Sequence, residues 1–205
     1  MVNPWEEISL SDYENHMKLS SVMQLQSLNQ MMKQQFNTYP VTSVMILGIA
    51  GGNGLEHIDK NKFQKVYGID INREYLTTVK ERYSDISSIL ECIQLNLIQD
   101  ADKLPTAELL VADLLVEYIG YECFQEIIEQ VQPKYVSCII QINVDGSWVS
   151  NSPYIHIFDN LDKVHHQIEE DSLIQVLRGM GYKLITQTEN LLPNGKKLIQ
   201  LDFKH

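Results

Sequence analysis

Four glycines stand within seven residues at Gly48-Ile49-Ala50-Gly51-Gly52-Asn53-Gly54, directly after the apolar run Ser43-Val44-Met45-Ile46-Leu47. A turn stripped of side chains lets a ligand approach the backbone closely. Asp70 closes the next apolar stretch, Val66-Tyr67-Gly68-Ile69. A carboxylate there can accept two hydroxyl hydrogen bonds from one ligand, or it can cap the helix that follows. Further on, Asp113, Glu117 and Tyr118 come after the run Leu109-Leu110-Val111-Ala112. They are the candidates for accepting a proton from a reacting group, although Glu117 and Tyr118 could simply begin a helix. His156, Asn143 and Trp148 lie close together beyond the next apolar run, and Tyr13 and Met17 near the start of the chain.

The elements that would position these residues follow from hydrophobic spacing. Residues 11–37 are expected to form a helix, opened by a capping box at Ser11-x-x-Glu14 and carrying Leu25, Leu28, Met32 and Phe36 on one face. Pro40 ends it. Continuous apolar runs of strand length mark strands covered on both faces. They are expected at 43–47, 65–69, 90–97, 109–112 and 135–142, with two more at 182–188 and 197–203 around Pro193-Asn194-Gly195. Helices are expected at 72–83, 121–131 and 169–178, with a short one after the glycine loop. Alternation of strands and helices requires crossovers, hence an α/β, Rossmann-like, mainly parallel seven-stranded sheet with helices on both faces. The last two strands share a short turn, so one strand must be antiparallel. Residues 1–40 read as an N-terminal helical appendage, a candidate lid, on one domain spanning 41–205.

Ligands of such sheets bind beyond the carboxyl ends of the strands, which directs attention to the glycine loop. The dinucleotide fingerprint GxGxxG is not met. The looser GxxxGxG is met by Gly48, Gly52 and Gly54 and resembles short-chain dehydrogenases. Those enzymes also need a Tyr-x-x-x-Lys pair, and none of the ten tyrosines has lysine four residues later.

The segment 48–54 resembles instead the first motif of class I S-adenosylmethionine-dependent methyltransferases, (Asp/Glu)-x-Gly-x-Gly-x-Gly. Gly52 and Gly54 match, Ala50 stands for the first glycine, and Gly48 replaces the acid. Asp70 resembles the acid of the second motif, and Gln94-Leu95-Asn96-Leu97 the third, with a rival register at Asp100-Ala101. Residues 108–118 resemble the fourth strand and the loop beneath the transferable methyl. The resemblance spans about residues 41–205 and implies S-adenosyl-L-methionine as cofactor. It implies contacts to that cofactor from Gly48, Ile49, Ala50, Gly52, Asn53, Gly54, Asp70, Ile71, Asn96, Leu97, Asp113 and Leu114. Asp113, Glu117 and Tyr118 would then face the methyl, with Tyr13, Met17, Asn143, Trp148 and His156 around the acceptor. Methyl transfer depends mainly on holding donor and acceptor in line, with a general base where the acceptor must lose a proton. Asn151-Ser152-Pro153-Tyr154 resembles the Asn-Pro-Pro-Tyr signature of amino methyltransferases, but it follows the fifth strand, not the fourth.

Composition narrows the partners. A net charge of -11 weighs against nucleic acid, whose binders carry a basic face, and Lys196-Lys197 reads as ordinary surface beside a turn. No apolar run reaches the ~20 residues of a membrane span. The acidic start MVNPWEEISL lacks a signal peptide's features. Cys92, Cys123 and Cys138 lack metal-ligand spacing and read as reduced thiols of a cytoplasmic protein, and no metal is expected. His165 and His166 precede Glu169 and Glu170 by four residues, as in exposed helical pairs. The expected function is methyl transfer to a small-molecule acceptor. A non-catalytic S-adenosylmethionine-binding regulator and an NAD(P)-dependent dehydrogenase are the alternatives. The oligomeric state is not legible.

Overall fold

The computed structural model describes residues 3–143 and 148–205. Its helices are α1 (Leu10–Met17), α2 (Gln24–Thr38), α3 (Arg73–Arg82), α4 (Leu97–Asp100), α5 (Val116–Val131) and α6 (Glu170–Gly179). Its strands are β1 (Ser43–Leu47), β2 (Lys65–Asp70), β3 (Leu90–Gln94), β4 (Leu109–Asp113), β5 (Tyr135–Ile142), β6 (Lys183–Leu191) and β7 (Lys197–Lys204). They form one seven-stranded sheet in the order β3-β2-β1-β4-β5-β7-β6. Pairings among β1 to β5 are parallel, and β7 runs antiparallel between β5 and β6. The order reverses between β1 and β4, which opens a crevice at their carboxyl ends.

The apolar runs form strands because alternate side chains serve two cores. Met45 and Leu47 of β1, Leu110 and Ala112 of β4, and Val136 and Cys138 of β5 face α5 and α6. Val44, Ile46, Leu109 and Val111 face the other way, onto Phe36 of α2 and Leu76 and Val79 of α3. The sheet therefore carries helices on both faces.

Several local expectations differ. The long first helix is two, broken before α2 where Met23 adopts a left-handed φ of 56°. Neither glycine nor proline marks that break. Ser11 lies inside α1 and does not cap it. The N-cap is Ser9, and Glu14 instead pairs with Arg82. A capping box occurs earlier, where Asn3 Oδ1 accepts from Trp5 N at 3.1 Å and Glu6 Oε1 accepts from Asn3 N at 3.2 Å. The third strand stops at Gln94 because Asn96 caps α4, its Oδ1 accepting from Ile98 N at 3.1 Å. His165 and His166 lie in a non-helical stretch before α6, so the expected helical pairs with Glu169 and Glu170 do not form. Lys196, read as surface, is 2% exposed. Among the described residues, no helix is long and apolar enough to cross a membrane.

Three polar contacts strap the first residues across α3 and the glycine loop. Asn72 Nδ2 donates to Trp5 O at 3.0 Å, and Tyr75 Oη donates to Ile8 O at 2.8 Å. The Arg82 guanidinium grips both oxygens of Glu14 and also donates to Gly51 O at 3.1 Å.

Candidate active site

The turn leaving β1 shows why its residue types matter. Gly48 has φ +65°, and a Cβ there would stand 3.0 Å from Leu115 Cδ1. An acid at this position would be strained and would crowd the loop after β4. Ala50 keeps a left-handed φ of 46°, unfavourable for any residue with a Cβ. The later glycines serve the chain's own packing. A Cβ on Gly51 would meet Glu14 Oε1 at 2.1 Å, one on Gly52 the Tyr83 ring at 2.6 Å, and one on Gly54 Met32 Sδ at 2.7 Å. Asn53 Nδ2 donates to Leu25 O at 2.9 Å, tying the loop to α2.

Asp70 shapes the same turn. Its Oδ2 accepts from Ala50 N and its Oδ1 from Asn72 N, both at 2.9 Å, so one carboxylate joins two strand exits. Asn72 is the side chain that caps α3. Burial raises the Asp70 carboxyl to about 6 against the pull of these backbone donors. Each oxygen accepts one of these bonds and retains capacity for another.

Asp70 opens onto a cavity of about 720 Å³, counting the open solvent at its mouth. Gly48 and Ala50 border it, with Ile71, Leu97 and Ile98 forming an apolar wall. Asn96, Asp113 and Leu114 also reach it, although Asn96 Oδ1 is engaged in capping α4. Ile49, Asn53 and Asp113 border a smaller recess between the glycine loop and α2. Gly52 and Gly54 border neither space.

Asp113 ends β4 within a buried polar network. Gln35 Nε2 of α2 donates to Asp113 Oδ1 at 2.8 Å and to Ser137 Oγ at 2.9 Å. Ser137 Oγ donates in turn to Asp202, which also accepts from Tyr39 Oη at 2.7 Å. Asp113 Oδ2 has no partner. Burial, with the charges of Asp202 and Glu117 adding to it, raises this carboxyl to about 7, although the Gln35 bond opposes the shift.

A second cavity adjoins the first, and Trp5, Tyr13, Leu114 and Tyr118 border both. Glu117 borders the second cavity at 6% exposure. Its Oε1 accepts from Gln141 N at 2.9 Å, Oε2 has no partner, and burial raises the carboxyl to about 7. Met17, Asn143 and Trp148 border this cavity as well. Tyr118 stands edge-on to Trp5, with centroids 4.9 Å apart. Burial raises its phenol well above the usual tyrosine range. Among the described residues, no group of acidic, histidine or cysteine side chains could hold a metal ion.

His156, expected at the acceptor pocket, borders neither cavity: its side chain is 87% exposed beside Asp159, in a short 3-10 turn. His16 and His165 border the second cavity in its stead. His16 Nδ1 and Ser152 Oγ lie 2.7 Å apart, so the Asn151–Tyr154 segment clasps α1. Burial, with the charge of Lys196 adding to it, lowers His16 to about 4. Gln24 and Gln141, hydrogen-bonded across the cavity's edge, were not singled out in the sequence. Their helical and strand positions carry no motif.

No family model matches the chain, and no curated protein matches its sequence. Solved structures do match in fold. The [4+2]-cyclase SpnF superposes with a TM-score of 0.67 at 8% identity, over 91% of this chain and 83% of that one. The N-methyltransferase NodS from Bradyrhizobium japonicum WM9, in complex with S-adenosyl-L-homocysteine, gives 0.64 at 9% identity, over 96% and 97%. The magnesium protoporphyrin IX methyltransferase ChlM from Synechocystis PCC 6803, with bound S-adenosylmethionine, gives 0.60 at 10% identity, over 93% and 82%. With the sheet order described above, this chain has the fold of the class I S-adenosylmethionine-dependent methyltransferases.

Proposed function

We propose that the protein is a cytoplasmic S-adenosylmethionine-dependent methyltransferase of a small-molecule acceptor. One observation carries the reading: two cavities meet at the carboxyl edge of β4, across Trp5, Tyr13, Leu114 and Tyr118. A donor and an acceptor held there would be neighbours, which is most of what methyl transfer requires.

The residues present suit that cofactor. Asp70 retains acceptor capacity toward the ribose hydroxyls, and Ile71, Leu97 and Ile98 offer an apolar face to the adenine. Gly48 and Ala50 line the approach of the amino-acid end. Gly48 offers no acid, and Asp113, which borders the same two spaces as Gly48, is the carboxylate that would take the methionine ammonium. When bound, the cofactor supplies an electrophilic methyl on sulfonium sulfur.

Of the three candidates for chemistry, Asp113 takes the cofactor-holding role and Tyr118 the partition between the cavities. Glu117 is the proton acceptor, because it borders the acceptor cavity, has a buried oxygen without a partner, and its raised carboxyl suits proton exchange near neutral pH. Residues 1–40 act as the lid through the strap over α3. A net charge of -11 favours a small molecule over nucleic acid as acceptor.

Calorimetry tests this directly. Adenosylmethionine and its demethylated product should both bind, and NAD and NADP should give no heat. Binding of the nicotinamide cofactors without adenosylmethionine would overturn the reading. Binding without turnover across amines, hydroxyls and carboxylates would support the non-catalytic regulator instead.

A further inference from the structure

The second cavity has the makings of a cation site. Its walls are aromatic: Tyr118 stands edge-on to Trp5 at 4.9 Å and 87°, and to Trp148 at 6.3 Å and 73°. The His165 ring stacks on Trp148 at 4.3 Å and 17°. Rings set at right angles present both faces and edges to the space between them, and the faces attract cations. Glu117 borders the same space with Oε2 buried and without a partner. A buried acceptor left without a donor is costly, so a bound ligand that donates there gains a strong, charge-assisted bond.

The remaining polar lining does not supply a competing positive charge. His16 is held neutral at ordinary pH by burial, with Lys196 adding to the effect, and burial likewise lowers His165, although Asp162 opposes it. Lys196 itself is buried nearby, does not border the cavity and has its own interaction. Gln141 Nε2 is already spent on Asn143 Oδ1 at 2.7 Å and Trp148 O at 2.8 Å.

We propose that this cavity binds a small organic ammonium ion, its nitrogen held by Glu117 Oε2 between the Trp5, Tyr118 and Trp148 rings. The methyl acceptor is then an amine. This deepens the methyltransferase reading and rests on it for the word acceptor, whereas the cation site stands on its own residues. Glu117 has two consecutive tasks in it: as carboxylate it accepts the N–H of the ammonium, and by taking that proton it leaves a neutral amine with a free lone pair.

The test compares three probes of one carbon skeleton, butylammonium, butanol and butyrate, by quenching of Trp5 and Trp148 fluorescence at pH 8. Butylammonium should bind at least about tenfold more tightly than either of the others. Glu117→Gln, whose amide oxygen still accepts from Gln141 N, should remove that preference while leaving butanol binding unchanged. Trp148→Leu should weaken butylammonium by about tenfold, and Tyr118→Phe, which keeps the ring, should weaken it little. Butanol binding as tightly as butylammonium would overturn the proposal in favour of a hydroxyl acceptor. Butyrate binding most tightly would overturn it in favour of an anion site near Lys196, and so would a Glu117→Gln protein that still prefers butylammonium. Adenosylmethionine calorimetry on the same protein separates the two ideas. Cofactor binding without ammonium preference sinks the cation site alone, and ammonium preference without cofactor binding sinks the methyltransferase reading alone.

Discussion

Asp70 and Glu117 are both buried carboxylates at the carboxyl edge of one sheet, and they use their oxygens differently. Both oxygens of Asp70 accept backbone N–H bonds, from Ala50 and Asn72, so this group builds the loop as well as facing the cavity. Glu117 spends one oxygen on Gln141 N and leaves the other bare. Burial raises both carboxyls, Asp70 to about 6 and Glu117 to about 7, and backbone donors oppose the rise in each. The side proposed for the cofactor is therefore made of backbone geometry fixed by a few residues, and the side proposed for the acceptor is made of side chains from distant segments meeting in space. A carboxylate anchored by the backbone at both oxygens, with acceptor capacity left on each, can hold a ligand in place; one with a vacant oxygen near pH 7 can take and return a proton.

The largest effect expected from breaking that contrast is at Asp70. Asp70→Ala removes the proposed ribose acceptor and both loop bonds, and adenosylmethionine affinity should fall by about 1–3 kcal/mol, roughly 5- to 150-fold. Glu117→Gln should leave that affinity unchanged. Equal losses in both variants, measured by calorimetry, would erase the distinction between the two sides.

Asp113 belongs to the cofactor side but shares the unpartnered oxygen of the acceptor side. Its carboxyl rises from 3.8 in the unfolded chain to about 7 when folded, so the native protein binds more protons than the unfolded one between those values. Stability from this group therefore falls as pH rises from about 4 to about 7, and Glu117 adds a loss of the same sign. Asp113→Asn keeps an acceptor for Gln35 and removes the buried charge. It should stabilise the protein by about 1–2 kcal/mol at pH 8, discounted from roughly 1.4 kcal/mol per pKa unit, and not at all at pH 3. Adenosylmethionine binding should weaken at the same time. Denaturant melts at the two pH values check it, and equal stabilisation at both would show that the buried charge is not what the variant relieves.

The asymmetry between the two sides also explains what could be read in advance. Gly48 to Gly54 and Asp70 were legible because local sequence makes them: an apolar run, a turn, a second run and its closing acid are neighbours in the chain. The sheet followed from the same runs, because a strand covered on both faces is apolar at nearly every position. Gln24 and His165 were not legible as neighbours of Glu117 around the second cavity, because they come from α2 and the stretch before α6. His156 looked closer in sequence than His16, and its short turn points it outward. Lys196 looked like surface beside a turn, although the turn folds it inward. Met23, with no glycine or proline to announce it, broke the single helix expected over residues 11–37.

Ala50 offers a smaller and sharper probe of the backbone-built side. With φ at 46° it bears a strain that the family's usual glycine would not. Ala50→Gly relieves that strain but loosens the unfolded chain, so the net stabilisation should be about 0.5–1 kcal/mol. Its N–H would still reach Asp70, so cofactor affinity should stay within about twofold. A melting temperature that falls would mean that the Ala50 methyl makes contacts worth more than the strain it costs.

The smallest effect on global stability is expected where the two sides are joined, at the strap. Arg82 and Glu14 are 42% and 21% exposed, and ion pairs so placed contribute about 0–1 kcal/mol. Arg82→Gln should therefore barely move the melting temperature. Its local consequence is larger in kind, because Arg82 also donates to Gly51 O and so holds α1 against the glycine loop. Loss of that grip frees Tyr13, which borders both cavities, to move with α1. Proteolysis within residues 10–23 should quicken in Arg82→Gln and slow again when adenosylmethionine is added. Unchanged cleavage in the variant would mean that Asn72 and Tyr75 hold the segment without help. Cleavage that adenosylmethionine does not slow would mean that the segment is no lid over the cofactor.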